Sequence, residues 1–298
     1  MSRPLLPKTV ESLSVPPLKI QGIKTRLVRF ILGSIRWDGQ GRWVEPFLGS
    51  GVVVFNLLPR RALLGDRNPH IIRFYADLQD GLFAEGDVRG HLEHEGARLA
   101  RRGADHYYTV RERFNASHDP LDFLFLNRSC FNGMMRFNRS GGFNVPFCRK
   151  PERFSKAYVS KIVNQVGAVR RAMEGRDWEF RSCDWTETVS DLRPRDFLYL
   201  DPPYFGRHAD YFNQWDEEDA ARLADRARGL SCGVALSMWK SNRFRVNEHL
   251  EAVWSFLEER TTEHFYHLGS NLDLRHAMVE ALRISPHFAG EAVPMPRT

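Results

Sequence analysis

The apolar positions of this chain form short solid runs toward its two ends and helical stripes in between. Residues 26–32 carry apolar side chains at helical spacing, which predicts a helix opening at about Lys24. A β-prone run over 42–46, a Gly-x-Gly turn (Gly49, Gly51) and an apolar helix start over 52–55 follow, and a second short run over 62–65 ends in Asp66. From Asn68 to about Asp122 the pattern is helical and charged, with Ile71, Ile72, Phe74, Tyr75 and Leu78 on one face. Residues 159–173 and 217–230 read as further helices, and 178–183, 197–200, 232–237, 262–266 and 277–284 as strands. The run Phe197-Leu198-Tyr199-Leu200 has the solid apolar character of a buried strand. Asp201-Pro202-Pro203-Tyr204 stops it, because proline brings no N–H to a ladder. The tail after Pro286 reads as flexible.

Strand, glycine turn, helix, strand and terminal acid, in that order, make the nucleotide-binding half of a Rossmann-like α/β unit, in which the acid accepts from ribose hydroxyls. The third glycine of the dinucleotide pattern is absent, since Val54 stands there. That counts against NAD and suits a ligand without pyrophosphate, such as S-adenosylmethionine. Gly22 permits close backbone approach. Lys24 sits where the helix dipole is already positive, so it is either a solvated side chain or one aimed at an anion. Asp201, at a strand's carboxyl end, is either part of a turn or part of a site.

Composition narrows the class. With 298 residues, 42% hydrophobic and 27% charged, the chain has the make-up of a folded globular protein. Neither a signal peptide nor an apolar run of membrane-spanning length is visible, so a cytoplasmic protein is expected; a monomer is the separate expectation for its assembly. The four cysteines form no CxxC pair, and neither a metal site nor a disulfide framework is expected. His91, His94 and His106 read as surface residues. The net charge of +6 is unevenly spread: between Arg128 and Lys161 eight basic residues face a single acid, Glu152, so the rest of the chain nets −1. Within that block, residues 126–147 alternate Arg, Asn, Gly and aromatics without the apolar period of a core helix. Arginine and asparagine read base edges, and aromatics stack on or wedge between bases. Nucleic-acid contact is favoured over an ordinary surface loop.

Four stretches taken together resemble the Dam-type family of DNA adenine-N6 methyltransferases, the D12 or alpha class, over roughly residues 16–285. They are Lys-x-x-Gly-x-Lys (Lys19 to Lys24), Pro-Phe-x-Gly-x-Gly (Pro46 to Gly51), the long block from Asn127 to Pro146, and Asp201-Pro202-Pro203-Tyr204. The resemblance implies a Rossmann-like S-adenosylmethionine-binding sheet formed by residues 1–68 and 164–298, with a mainly helical target-recognition domain, 69–163, inserted in it. It implies that Ile20, Gly22, Lys24, Phe47, Gly49 and Gly51 lie along the cofactor, that Asp66 holds its ribose, and that Asp184 and Trp185 hold its adenine. Asp201 would border the cofactor too. With the Pro202 carbonyl, Asp201 would hydrogen-bond the amine of a flipped adenine, on which Tyr204 stacks. Lys19, Arg128, Phe131, Asn132, Met134, Arg136, Asn138, Arg139, Arg149 and Lys150 would meet double-stranded DNA, with Arg136 and Asn138 at base edges, Phe131 as a wedge, and Arg153 and Lys156 joining Arg149 and Lys150 at phosphates. A restriction endonuclease acting separately is an implied companion. The chain departs from the family at Ile20, where tryptophan is usual, at Cys130 and Cys148, where glycine is common, and at Ser237-Met238 in place of Ser-Asn. Cytosine-N4 methylation, a non-catalytic DNA-binding protein and a NAD-dependent oxidoreductase are the rival readings.

Overall fold

The computed structural model describes residues 4–203, 215–265 and 277–290. In chain order the elements are α1 (Val28–Ser34), β1 (Trp43–Glu45), α2 (Val54–Leu57), β2 (Arg61–Asp66), α3 (Pro69–Gln79), α4 (Glu85–Arg102), α5 (Ala104–Ser117), α6 (Pro120–Ser129), α7 (Lys156–Met173), β3 (Asp177–Ser182), α8 (Trp185–Ser190), β4 (Phe197–Leu200), α9 (Glu217–Arg228), β5 (Gly233–Asn242), α10 (Glu248–Trp254), β6 (Glu258–Phe265) and β7 (Ala277–Ile284). The strands form one sheet in the order β3-β2-β1-β4-β5-β7-β6. The first five are parallel, and β7 runs antiparallel between β5 and β6.

The central strands are built for burial on both faces, as parallel strands must be. Period-2 alternation on β4 sends Phe197 and Tyr199 into one core and Leu198 and Leu200 into the other. On the first face Trp43 stacks on Phe197, centroids 5.2 Å apart with the rings 4° from parallel. Each such buried aromatic or aliphatic side chain contributes about 1.5–3 kcal/mol. The strand order reverses between β1 and β4, so the carboxyl ends of these two strands border the crevice where open α/β sheets bind ligands. The chain leaves β2 at Asp66 to build α3 through α7 before returning as β3.

Several expectations change. Helix α1 begins at Val28, and Lys24 lies one turn earlier, its carbonyl accepting from the Leu27 and Val28 N–H groups. The boundary expected at 163/164 falls inside α7. Residues 126–129, read as part of a loop-like block, are the buried last turn of α6. His106 is buried and His91 half-buried, and only His94 is exposed. The stretch after Pro286 is fixed as far as Gly290: Phe288 packs on Phe197, and the Gly290 N–H donates to the Ser34 carbonyl. Strand β5 runs five residues beyond Ser237. Tyr266 and residues 291–298 lie outside the described residues. No helix among the described residues is long and apolar enough to cross a membrane.

Candidate active site

Asp201 directly follows β4, where Pro202 and Pro203 end the ladder. Its carboxylate is gripped by Lys24, whose Nζ lies 2.6 Å from Oδ1 and 2.9 Å from Oδ2 and also donates to the Gly22 carbonyl at 3.0 Å. Lys24 is 3% exposed, while the Asp201 side chain keeps 23% of its surface accessible. The anion sought for Lys24 is therefore inside the protein. Burial raises the Asp201 pKa above the usual carboxylate range, and Lys24 opposes that shift by charge and hydrogen bond. Glu45, the last residue of β1, is 2% exposed and accepts the Trp43 indole N–H at 2.6 Å. Burial, with the Asp201 charge adding to it and the Trp43 hydrogen bond opposing, lifts Glu45 to about 8. That shift favours the protonated form of Glu45 near neutral pH.

The turn after β1 is held open by two glycines. Gly49 has φ 51° and Gly51 φ 69°, and a Cβ on Gly51 would meet the Phe55 ring at 2.5 Å. A Cβ on Gly49 would meet only Ile20, at 3.9 Å, so the backbone there borders open space. Asp66 is 8% exposed and ties this turn to β2, accepting the Gly49 N–H at Oδ2 and the Asn68 N–H at Oδ1, both at 2.9 Å. Burial raises it to about 6 against the pull of those two donors. Phe47 is half-buried, with Trp215 edge-on at 5.3 Å. Asp184 caps α8, accepting from the Thr186 N–H and hydroxyl, and faces Arg67 at 3.5 Å. The Trp185 expectation is corrected. Its indole is 4% exposed in the core, edge-on to Trp215 and under the Arg222 guanidinium, so it has little surface left for a ligand. Tyr204 lies outside the described residues.

The expected DNA-facing residues separate by burial. Phe131 is 50% exposed, and Asn132, Arg136, Asn138, Arg139, Arg149 and Lys150 are exposed, with Met134 partly so. Arg136, Asn138 and Arg139 sit on a small hairpin pinned by the Phe137–Phe143 bridge, Phe131 and Asn132 on the turn before it, and Arg149 and Lys150 beyond the Cys130–Phe147 bridge. Arg136 is braced across the hairpin, Nε donating to Asn144 Oδ1 at 2.8 Å, and Asn138 Oδ1 closes the tip by accepting the Ser140 and Gly142 N–H groups. Arg128 is the second correction. It is 4% exposed and donates to Gln165 Oε1, because α6 continues through Ser129 and turns position 128 toward α7. Lys19 joins the two regions. Its N–H and carbonyl pair with the Asn127 side chain at 2.8 Å each, and its side chain packs on Gly133. Six residues, Lys19 to Lys24, thus reach from the hairpin past the glycine turn to Asp201.

Residues 21–270 match the family model for D12 class N6 adenine-specific DNA methyltransferases. The chain belongs to this family. It is 31% identical over 214 residues to a DNA adenine methylase of Vibrio cholerae, covering 67% of this chain and 71% of that one. A DNA adenine methylase of Haemophilus influenzae is 32% identical over 214 residues, 67% of this chain and 69% of its own. A type II methyltransferase of Methanocaldococcus jannaschii is 28% identical over 262 residues, 78% and 85% of the two chains. The seven-stranded sheet agrees with the Rossmann-like fold expected for such enzymes.

Three residues that neighbour the expected site residues escaped sequence reasoning. Glu45 had a signal, an acid inside an otherwise apolar strand. Tyr158 had none. It lies half-buried among Lys19, Arg128 and Arg153, and although burial would raise its pKa, these cations bring it below the usual phenol value. Trp215, beside Phe47, stands alone in a polar stretch. A cavity of about 530 Å³ between residues 13–15 and α7 shares no lining residue with the Asp201 cluster.

Proposed function

We propose that this protein transfers a methyl group from S-adenosylmethionine to the exocyclic N6 amine of an adenine flipped out of duplex DNA. The observation that carries the reading is that Asp201-Pro202 and the Gly49–Gly51 turn follow the carboxyl ends of the adjacent strands β4 and β1, where the strand order reverses, under a family assignment that names adenine. The residues present suit the cofactor. The open space over Gly49 admits a ligand against the backbone, and Asp66 already spends one lone pair per oxygen on the turn and has others for ribose hydroxyls. Phe47 and Trp215 offer half-exposed rings, and Asp184 a carboxylate, for the adenine end. When bound, S-adenosylmethionine supplies an electrophilic methyl on a sulfonium.

The protein's part is positioning and charge. An exocyclic adenine nitrogen is a poor nucleophile because its lone pair is delocalised into the ring. Asp201 and the Pro202 carbonyl are two acceptors that draw its N–H groups out of that plane and free the lone pair for in-line attack. Lys24 opposes the upward shift that burial imposes on Asp201 and so favours its accepting, ionised form. Tyr204, next in sequence, is assigned to stack on the extruded base. The segment between β2 and β3 serves as the target-recognition region. Arg136 and Asn138 face bases, Phe131 fills the vacated space, Asn132 and Met134 flank it, and Arg139, Arg149 and Lys150 hold phosphates. The protein acts as a monomer, on its own or beside a separately acting endonuclease.

The test is incubation with labelled S-adenosylmethionine and duplex DNA of mixed sequence, followed by nucleoside analysis. Labelled N6-methyladenine is expected. Its absence, or label in N4-methylcytosine, refutes the reading. Asp201→Ala should lower turnover at least about 10²-fold while duplex affinity stays within a few fold; retained turnover would remove Asp201 from the mechanism.

A further inference from the structure

Strand β5 is longer than the parallel sheet requires. Its pairing with β4 ends at Leu236, level with Leu200, whereas its pairing with β7 continues to Asn242. Six further residues at about 3.3 Å each carry it roughly 20 Å beyond the carboxyl end of β4. The extension is irregular at Lys240, where the register shifts between Trp239 and Ser241. At its base Lys240 is paired with Glu251 and Glu259, and Arg283 with the same two acids.

The turn at its tip is well organised and unusually apolar for its position. Asn242 Oδ1 accepts the Phe244 and Arg245 N–H groups at 2.9 Å, the Asn242 N–H donates to the Arg245 carbonyl, and Ser241 bridges Val246. Asn247 closes it from below, its amide donating to the Trp239 carbonyl. What this scaffold presents is Arg243, Phe244, Arg245 and Val246, all exposed, with Phe244 at 69% and Val246 at 63%. Among the described residues neither arginine has a carboxylate partner. The Arg243 guanidinium lies 5.7 Å from the Phe244 ring centroid, and both the phenylalanine and the valine keep most of their surface open to solvent. Together they make a surface that is cationic toward phosphates and apolar toward sugars and bases.

Its place in the fold identifies the partner. In sheet order Asp201 sits at the end of β4, the recognition region joins on the β2–β3 side, and the β5 extension rises on the other side. In that order β5 is the neighbour of β4 on the side away from β1, β2 and β3, so the turn at its tip belongs to the strand next to the one that carries Asp201. We propose that the Arg243–Val246 turn is a second DNA-contacting element, which grips the duplex on the side of the target base opposite the recognition hairpin. Arg243 and Arg245 meet phosphates, and Phe244 packs on sugar or an exposed base edge. This rests on the proposed action on duplex DNA.

The test is equilibrium binding of a fluorescent duplex by the full chain across a salt series, so turnover is not needed for the readout. The variant Arg243→Ala/Arg245→Ala should bind duplexes of any sequence about tenfold more weakly, with the slope of log affinity against log salt smaller by about 2. Phe244→Ala should weaken binding severalfold at unchanged slope. S-adenosylmethionine affinity and the thermal midpoint of both variants should stay at wild-type values, which separates lost contact from lost fold. A double arginine variant with wild-type affinity and slope would overturn the proposal even if the wild type methylates adenine. A wild-type protein that shows the binding difference yet makes no N6-methyladenine would instead refute the catalytic reading and leave the turn as a DNA contact.

Discussion

At the scale of single residues the arrangement turns on how much of a carboxylate's charge the protein lets stand. Two buried acids and one half-buried acid lie at the strand ends at the crevice, and each is treated differently. Asp66 is tied to two backbone donors, Glu45 is pushed toward its protonated form by burial, and Asp201 is kept available by a lysine at 2.6 Å. If ionised Asp201 is the working form, activity falls as pH drops through its pKa. Lys24 holds that pKa down against burial, so Lys24→Gln should move the acid limb of the kcat/KM profile to higher pH, with part of the activity recovered on the alkaline side. Lys24→Arg should leave the limb near its wild-type position. A Lys24→Gln profile depressed equally at every pH would show that the lysine acts only on the fold. Much of this centre was legible beforehand, because Asp201, Gly49, Gly51 and Asp66 are fixed by local order: run, turn, run, acid. Lys24 and Asp201 are 177 positions apart, and only the sheet topology brings them together. Glu45 lay inside the run expected to be a strand, but the local pattern does not by itself tell that an acid at a strand's end will be buried.

At the scale of elements the recognition hairpin is a rigid mount for flexible side chains. Arg136 reaches across to Asn144 through side chain and backbone, so its guanidinium is aimed before any DNA arrives. Asn144→Ala removes the aiming group without touching a charge. Preference for the best site over sites differing by one base pair should fall about tenfold, the value of roughly 1.4 kcal/mol of lost discrimination, while affinity for unrelated duplex is unchanged. Competitive methylation of paired oligonucleotides measures the ratio, and an unaltered ratio would show that Arg136 is not held for reading bases. Helix α7, with a clean apolar stripe, was expected over 159–173 and runs from Lys156 to Met173, whereas for α3 the sequence marked the apolar face but not the end at Gln79. Helix α4 was not marked out, because its buried stripe of Val88, Leu92, Glu95 and Leu99 contains an acid satisfied by His106 and Arg113 on α5. The last turn of α6 was missed for a related reason. Asn127, Arg128 and Ser129 are polar residues buried on partners in the residue 19 loop, in α7 and in their own helix, and a polarity pattern reads such residues as surface.

At the scale of the whole molecule Glu45 and Asp66 beside the crevice and the buried groups of the helical segment titrate in opposite directions. In the sheet, Glu45 at about 8 and Asp66 at about 6 have folded pKa values raised by burial. The stability they contribute is complete below their unfolded values near 4.5 and 3.8 and is lost as pH rises through 6 and then 8. In the helical segment the signs reverse. His70, beside Phe114, Phe137 and His118, is lowered to about 4 by burial and by the neighbouring charges of His118 and Arg73, so its contribution is lost as pH falls from 6.5 toward 4. Glu95 and Asp122 follow. Burial would raise them, but Arg113 and the histidines hold them below the carboxylate range, so their contribution is present above their unfolded values and lost as pH falls further. Mild acid should therefore loosen the segment that meets DNA while tightening the strands that carry Asp201. Hydrogen exchange at pH 7.5 and pH 4.5, corrected for intrinsic rates, is expected to show protection falling in α3 through α6 and holding or rising in β1, β2 and β4. Protection falling together in both regions would mean that they open as a single cooperative unit. The charges of the recognition region would then be coupled to the sheet more tightly than their separate networks imply.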